Sequence, residues 1–312
     1  MELTEVHGMR FALADLDEAV RTAWSPYRDR VDVVRVENPA SERWPELRAA
    51  GFVPKPMWVM WVADPLGSED EYLAGLATQE RSNIRRAKRK LDANGLKVSI
   101  RDIDPALYDV FLRLYEDRIA EMRHGWAVAT EQRELILSDA ANHFAVCVHQ
   151  DAELVGCCVA RLDKDKDMVR IRFSAVDVPG REASLARAFF MAVIQVAREI
   201  GHGSVSLGSD PNLYGHIAKP GLLGFKSRLG FGAHPSHHLD PLIGNDQADL
   251  VLGLSRLGDP AIVLGYADEV PTDRLRLEAF SEVEDIDLRE YRAKFLHGEH
   301  THVLPSYVST SL

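Results

Sequence analysis

The chain has 312 residues, a length that favours more than one domain. Of these residues 46% are hydrophobic and 27% are charged, which is typical of a globular protein. Its formal net charge of −11 argues against a protein that coats nucleic acid with its whole surface, and no apolar run approaches the ~18 residues of a membrane-spanning helix. Three cysteines, two of them adjacent, are too few for a disulfide framework, and the amino terminus lacks the order of a secretory signal, so we expect reduced, buried thiols and a cytoplasmic protein that binds neither DNA nor a membrane.

Two apolar runs near the amino terminus, 31–36 and 57–62, are predicted strands. Ser68 and Glu71 then have the spacing of a capping box, and apolar residues at helical spacing predict one helix that ends at Asn94. A cluster of cations without a single acid on the last three turns of this helix indicates either a local anionic ligand or a solvated helix face. The cations are Arg81, Arg85, Arg86, Lys88, Arg89 and Lys90.

The middle of the chain predicts a strand, two helices, an antiparallel three-stranded meander, a long helix, a strand and a short helix, in this order. The first helix begins at Pro105, and its buried face is predicted to carry Leu107, Val110, Phe111 and Leu114. The remaining predicted elements span 96–100, 131–140, 144–149, 154–161, 168–176, 185–201, 204–207 and 222–229.

This order of elements, together with the Leu-Gly-Phe ending of the segment 224–231, resembles the GNAT acyltransferase fold over roughly residues 100 to 240. In GNAT acetyltransferases a tyrosine four residues before that glycine protonates the leaving thiolate, and here the position is Lys226. The pair Phe225-Lys226 and the basic segment 81–86 are similar to the Fem-type aminoacyltransferases. The resemblance implies that Lys226 stabilises the negative charge that acyl transfer builds, with Phe225 beside it. The alternatives are a surface lysine at a helix C-terminus and a core phenylalanine.

The same resemblance implies that Arg81, Arg85, Arg86 and Arg89 bind the phosphates of tRNA or of a nucleotide-linked acceptor. GNAT enzymes that use acetyl-CoA usually cradle its pyrophosphate in a glycine-rich loop before the long helix. The corresponding loop here, 178–184, has one glycine and a proline, which disfavours coenzyme A. Asp177 and Arg181, at the start of this loop and within it, are further candidates for substrate binding.

A glycine- and proline-rich loop, 208–221, follows the strand at which a GNAT fold opens for donor and acceptor. His216, with Asp210 in the same loop, is the candidate general base for the attacking amine, because imidazole titrates near neutral pH; the alternative is a structural histidine. A further group of histidines with an aspartate has the residue types of zinc sites, but GNAT chemistry uses no metal and we expect none. These residues are His234, His237, His238 and Asp240.

The carboxy-terminal residues contain one predicted strand, 261–266, and a predicted acidic helix over 281–295. No chemistry is assigned to this part of the chain. Its last three histidines are assigned to a tail: His297, His300 and His302.

We therefore predict an α/β protein with the GNAT acyltransferase fold, a mixed and mostly antiparallel sheet flanked by helices. Residues 1–95 are predicted to form a subdomain, read as a degenerate half of a tandem GNAT arrangement. Residues 96–240 form the predicted catalytic domain, and 241–312 a strand-helix extension.

The resemblance implies transfer of an acyl or aminoacyl group from an aminoacyl-tRNA, another ester or a thioester to an amine, which forms an amide bond. No bound cofactor is expected, since the donor, aminoacyl-tRNA or acyl-CoA, is a co-substrate. The expected partners are a small-molecule or peptide-like amine and, in the Fem-type branch, tRNA. An acyl-CoA-dependent N-acetyltransferase and a GNAT-fold protein that binds without catalysis stay open as alternatives.

Overall fold

A computed structural model describes residues 1–121, 127–177, 185–215 and 220–305. The chain forms two compact units: unit 1 comprises Met1–Trp61 and Ser209–Leu312, and unit 2 comprises Val62–Gly208. The predicted domain boundaries after residues 95 and 240 stay a prediction, and the compact units group the chain differently.

Unit 1 contains a five-stranded sheet with the strand order β1-β2-β3-β12-β4 and a three-stranded sheet with the order β13-β14-β15. Strands β2 and β3 are parallel, as are β14 and β15, and the other pairs in these two sheets are antiparallel. The strands are β1 (Glu2–Val6), β2 (Met9–Ala14), β3 (Val33–Glu37), β4 (Val53–Pro56), β5 (Trp58–Ala63), β11 (Gly232–Pro235), β12 (Asp246–Val251), β13 (Ala261–Tyr266), β14 (Leu275–Ser281) and β15 (Glu299–Val303). The helices are α1 (Leu16–Val20), α2 (Trp44–Ala49), α9 (Pro220–Arg228) and α10 (Ser236–Leu239).

Both faces of the five-stranded sheet carry buried side chains, because successive residues of a strand point to opposite faces. On one face, Val34 and Val36 pack in a cluster with Ala19 of α1 and Leu47 of α2. On the other face, a second cluster joins the sheet to the three-stranded sheet. Its members include Met9, Phe11, Val33, Val53, Val251, Ala261, Val263 and Phe280.

Three charged side chains are buried on the second face of this sheet. Arg35 on β3 donates two hydrogen bonds to the Asp249 carboxylate on β12, with lengths of 2.7 and 2.8 Å. Lys55 on β4 lies 3.5 Å from the same carboxylate and donates to the Asn212 carbonyl at 2.9 Å and to Gln247 Oε1 at 3.2 Å. Burial lowers the pKa of Lys55 to about 8, although the Asp249 charge opposes the shift. Burial alone raises the pKa of Asp249, but the Arg35 and Lys55 charges lower it below its usual value.

Unit 2 is built on the meander that the sequence predicts. Four strands pair antiparallel in the order β6-β7-β8-β9, and β10 pairs with β9 in parallel through Ser204–Ser206. The strands are β6 (Leu96–Asp102), β7 (His143–Gln150), β8 (Glu153–Asp163), β9 (Met168–Val176) and β10 (Ser204–Pro211). The last three residues of β10, from Ser209 onward, belong to unit 1. The helices are α3 (Glu69–Gly75), α4 (Thr78–Ala93), α5 (Pro105–Ala120), α6 (Val128–Glu131), α7 (Arg133–Ser138) and α8 (Leu185–Ile200).

Helices α5 and α8 cover opposite faces of the unit 2 sheet. Cys157 belongs to the cluster of α5, whereas at the neighbouring position Gly156 a Cβ atom would lie 2.8 Å from Phe189 of α8. The glycine thus lets α8 pack closely on β8. All three cysteines are free and buried, as predicted. The predicted fold class, α/β with mixed and mostly antiparallel sheets flanked by helices, is confirmed, and no helix in the described part of the chain is both long and apolar enough to span a membrane.

Two details of the predicted helices are wrong. The helix expected from Ser68 to Asn94 is broken, because Leu76 and Ala77 adopt extended conformations between α3 and α4. The buried face of α5 is rotated from the predicted one. Val110 is 37% exposed, whereas Tyr108 is fully buried and its hydroxyl donates to the Ala129 carbonyl at 3.1 Å.

The predicted acidic helix over 281–295 is also wrong. The region begins at the end of strand β14 and then contains turns and one 3-10 helix, Arg289–Tyr291. The histidines assigned to a tail are likewise misplaced, since His300 and His302 lie on β15, paired with β14. Both histidines contact Glu278, whose buried carboxylate needs partners on neighbouring strands.

Replacement of Asp249 by Asn should strongly destabilise unit 1, because it leaves Arg35 and Lys55 buried without a counter-ion. Loss of one partner from a buried ion pair costs about 3–5 kcal/mol. Urea unfolding of wild type and Asp249→Asn measures the change in the free energy of unfolding. The matched control is Asp287→Asn, which removes an exposed carboxylate that pairs with Arg289, and it should leave the midpoint unchanged. Equal midpoints for wild type and Asp249→Asn would contradict the role of the buried network.

Candidate functional site

Lys226 is buried, although it lies in the last turn of the short helix α9. It is 9% exposed, and it follows the fully buried Leu223 by one helical turn, so both residues share the inward face of the helix. The helix ends at Arg228, and the φ of +95° at Gly230 provides the left-handed residue of a C-terminal cap. The Phe231 amide donates to the Lys226 carbonyl at 3.2 Å. The alternative of an exposed surface lysine is therefore wrong.

The ammonium group of Lys226 has two partners, and both lie in unit 1. Its Nζ donates a short hydrogen bond to Oδ2 of Asp210, at the end of β10. It also lies over the ring of Trp61 on β5, 5.2 Å from the ring centroid. The Trp61 indole N–H donates to the same Asp210 oxygen at 2.9 Å. Lysine, aspartate and tryptophan thus form one hydrogen-bonded group with a fixed orientation.

The electrostatics of this group follow from its burial. Burial lowers the pKa of Lys226, and the Asp210 carboxylate, through its charge and its hydrogen bond, opposes part of this shift. An ammonium group in such a place has lost much of its hydration, so its field acts on nearby atoms with less screening than in water. Chemically, the arrangement can stabilise a developing negative charge or transfer a proton to a leaving group.

Of the four predicted catalytic residues, the structure brings Lys226 and Asp210 together. Asp210 was predicted as a companion of His216, and one of its oxygens accepts from both Lys226 and Trp61. Phe225, next to Lys226, is partly exposed. His216 lies outside the described residues.

Two aromatic residues of the site were missed by the sequence interpretation. Trp61 is fully buried, and its ring contacts Phe295 edge-on with centroids 5.5 Å apart. Both residues are more than 60 positions from Lys226 in the sequence. Neither belongs to a motif, so no local signal pointed to them.

The predicted anion-binding arginines on α4 divide into two groups. Arg81 is structural, because its guanidinium donates to the carbonyl oxygens of Leu76 at 2.8 Å and Ala74 at 3.3 Å, where α3 ends. Arg85, Arg86 and Arg89 are exposed. The two other cations of the cluster, Lys88 and Lys90, are exposed as well, and Lys88 pairs with Glu69.

A cleft of 180 Å³ opens beside this basic helix, within unit 2. Its lining residues are Asn83, Arg86, Ala87, Lys90 and Arg187. The Arg187 guanidinium is held by the fully buried Glu80 at 2.6 Å, and the Arg86 guanidinium donates to Asn83 at 3.2 Å. The cleft therefore presents cations whose positions are partly fixed.

The last two predicted binding residues lie at the start of the loop before α8 and within it. Asp177 is partly buried, and its backbone amide donates to the Val155 carbonyl at 3.1 Å. Arg181 and the rest of the loop 178–184 lie outside the described residues.

The histidines near α10 are paired with carboxylates. His238 contacts Asp273 at 2.9 Å, and His237 contacts Asp246 at 3.4 Å. Within the described ranges, three metal-ligating side chains come close together elsewhere, on β14 and β15, with their ligand atoms within 4.8 Å of one another. They are Glu278, His300 and His302.

Comparison with known proteins gives neighbours among the solved structures. No protein-family model and no curated protein sequence matches the chain. It is similar to the solved structure of L-PGS from Bacillus licheniformis, with 11% identity over 79% of each chain and a TM-score of 0.45. It is also similar to FemX, with 10% identity over 80% of this chain and 83% of that chain and a TM-score of 0.46. A tandem GNAT protein from the clavulanic acid biosynthesis pathway has 14% identity over 75% and 70% of the two chains and a TM-score of 0.37.

Replacement of Asp210 by Asn should lower the pKa of Lys226 further, because burial then acts without the opposing carboxylate. The pKa is measured by NMR titration of the lysine Nζ signals in protein with nitrogen-labelled lysine, and the signal that is missing from Lys226→Met identifies the residue. The matched control is Asp273→Asn, which removes the carboxylate beside His238 and should leave the Lys226 titration unchanged. A Lys226 pKa that is the same in wild type and Asp210→Asn would contradict the ion pair.

Proposed function

We propose that this chain is an acyltransferase that moves an acyl or aminoacyl group from an activated ester or thioester to an amine. The observation that carries the proposal is the buried ammonium group of Lys226, held by Asp210 above the ring of Trp61. It is supported by the resemblance of Phe225-Lys226 to the closing helix of the Fem-type branch.

Acyl transfer needs a positive charge that is fixed before the reaction begins. Attack of an amine on an ester or thioester carbonyl puts negative charge first on the carbonyl oxygen and then on the leaving group. Lys226 has three N–H donors, and Asp210 is the one hydrogen-bond acceptor that contacts it within the described part of the chain. The remaining donors are available to an oxyanion or a leaving oxygen or sulfur, whose charge they stabilise without reorganisation.

The burial of the three cysteines favours direct transfer, in which no covalent enzyme intermediate forms. All three cysteines are buried, and burial raises the pKa of Cys158 far above its ordinary value, so that this thiol stays protonated. The hydrogen bond between Cys147 and Cys157, together with burial, raises the pKa of Cys157, whereas the same hydrogen bond lowers the pKa of Cys147, which is a buried thiol as well.

An anionic donor or acceptor is the finer part of the proposal. Arg85, Arg86 and Arg89 are exposed on one helix, and Arg86 and Lys90 line the cleft of 180 Å³ with Arg187. No carboxylate in the described ranges forms an ion pair with Arg85, Arg86 or Arg89. Like charges at helical spacing repel one another, and a phosphate-bearing ligand such as tRNA would relieve that repulsion.

Replacement of Lys226 by Met keeps the length of the side chain and removes its charge, so it should lower kcat by roughly 10²–10⁴. Donor consumption is measured by mass spectrometry with pools of acyl-CoAs and of aminoacyl-tRNAs, each with a panel of primary amines. The matched control is Lys97→Met, which changes an exposed lysine on β6 and should retain full activity. Activity of Lys226→Met within a few-fold of wild type would remove Lys226 from the site.

The triple charge reversal Arg85→Glu, Arg86→Glu and Arg89→Glu tests whether the anion is a polyanion. If tRNA is the donor, activity of the wild type should fall steeply between ~50 and 300 mM salt, since several phosphates are neutralised at once, and the triple variant should lose binding. If a small phosphate ester binds, KM should rise in the variant while the salt dependence stays shallow. An unchanged variant would exclude the basic helix from substrate binding.

A further inference from the structure

Strands β14 and β15 bring three metal-ligating side chains to one face of the three-stranded sheet. In their parallel register, Glu278 is the partner of His300, and Phe280 is the partner of His302. Paired residues share a face, and so do residues two apart on one strand. Glu278, His300 and His302 therefore converge by strand geometry alone, and no loop has to fold back to assemble them.

The three side chains meet at one carboxylate oxygen. Nε2 of His302 lies 2.8 Å from Oε2 of Glu278, and Nδ1 of His300 lies 3.4 Å from the same oxygen. Ligands in a tetrahedral zinc site with bonds of about 2.0–2.1 Å are about 3.3 Å apart. The His300 separation already has this size, and His302 has to retreat by about 0.5 Å for the same geometry.

The surroundings hold the carboxylate and one imidazole in place. Arg276 Nε donates to Oε1 of Glu278 at 2.6 Å, which leaves Oε2 to face the histidines. The His302 ring stacks on Phe280, with ring centroids 4.5 Å apart and an angle of 11° between the planes. Glu278 lies against Gly265 of β13, where a Cβ atom would come within 2.7 Å of it. An outer-shell partner on the carboxylate and a fixed ring orientation are the usual supports of a metal ligand set.

We propose that Glu278, His300 and His302 bind one divalent zinc-class metal ion, through Oε2, Nδ1 and Nε2 respectively. Two imidazoles and one carboxylate are the ligand types of zinc sites with an open fourth position. That position is accessible to water, because the side chain of His300 is 52% exposed. Ca²⁺ and Mg²⁺ are excluded as occupants because they take oxygen ligands, and the adjacent Arg276 cation disfavours ions that are held by charge alone. The inference is independent of the proposed function of Lys226.

Isothermal titration of the chelator-treated full chain with Zn²⁺ tests the proposal. We expect one equivalent of Zn²⁺ per chain in the wild type and no binding of Mg²⁺ at the same concentration. His300→Ala and His302→Ala should each weaken binding by more than the ~10- to 100-fold that loss of an outer-shell partner typically costs. His297→Ala is the matched control, since His297 is an exposed histidine that precedes β15 and lies outside the cluster.

His300→Ala is the decisive variant, because its half-exposed side chain is not needed for packing, and circular dichroism verifies its fold. A visible absorption band of the Co²⁺-loaded wild type, absent from His300→Ala, provides a readout of nitrogen coordination that needs no second variant. The proposal is overturned if the wild type takes up no Zn²⁺, or if the two cluster variants bind it as tightly as His297→Ala does. Either result would leave the three residues as a hydrogen-bonded network that satisfies the buried Glu278.

Discussion

The carboxylate of Asp249 is the counter-ion of both Arg35 and Lys55, and much of unit 1 depends on this buried contact. Arg35 and Asp249 are 214 positions apart, so their ion pair fixes the late strand β12 between the early strands β3 and β4. Lys55 extends the network to the Asn212 carbonyl. The Asn212 side chain in turn donates to the carbonyls of Pro56 at 2.9 Å and Leu264 at 2.7 Å. Because Asn212 is held in this way, the end of β10 and the nearby Asp210 have a defined position.

Two buried lysines of the same unit illustrate how surroundings decide a role. Lys55 is fully buried and has an acceptor or a counter-ion for each of its N–H groups, in Asn212, Gln247 and Asp249. Such a lysine stabilises the sheet and offers nothing to a ligand. Lys226 is almost as deeply buried, but it contacts one carboxylate and the face of Trp61. Its ammonium group is therefore oriented, and two of its three N–H donors have no acceptor among the described residues, which is the arrangement that the proposed function requires.

The basic cluster of unit 2 divides in a similar manner. Arg81 satisfies carbonyl groups at the end of α3, and Arg187 satisfies the buried Glu80. Both side chains therefore have partners within the protein. Arg81 belongs to the cationic segment 81–90, and Arg187 lines the cleft beside it. The exposed members, Arg85, Arg86 and Arg89, are the ones that the proposed anion would contact. Charge reversal at these three positions therefore tests ligand binding, and the one hydrogen bond of theirs that it removes within the described residues is the exposed one from Arg86 to Asn83.

The spacing of hydrophobic residues and the turn residues between them were enough to predict the meander β7-β8-β9 and helix α8. Each of these elements depends mainly on residues that are close together in the sequence. The motif Phe225-Lys226 was likewise readable, since it stands at a fixed distance from Gly230. The break between α3 and α4 was not predicted, and Arg81 donates to carbonyl groups at this break. Strands β12, β14 and β15 were missed in part because acidic residues such as Asp249 and Glu278 are typical of solvated segments. Their burial depends on partners that distant strands provide. The same reason explains Trp61 beside Lys226 and the convergence of Glu278 with His300 and His302. Local patterns determine elements and single candidate residues, whereas burial and pairing of charges across distant strands are decided only by the tertiary structure.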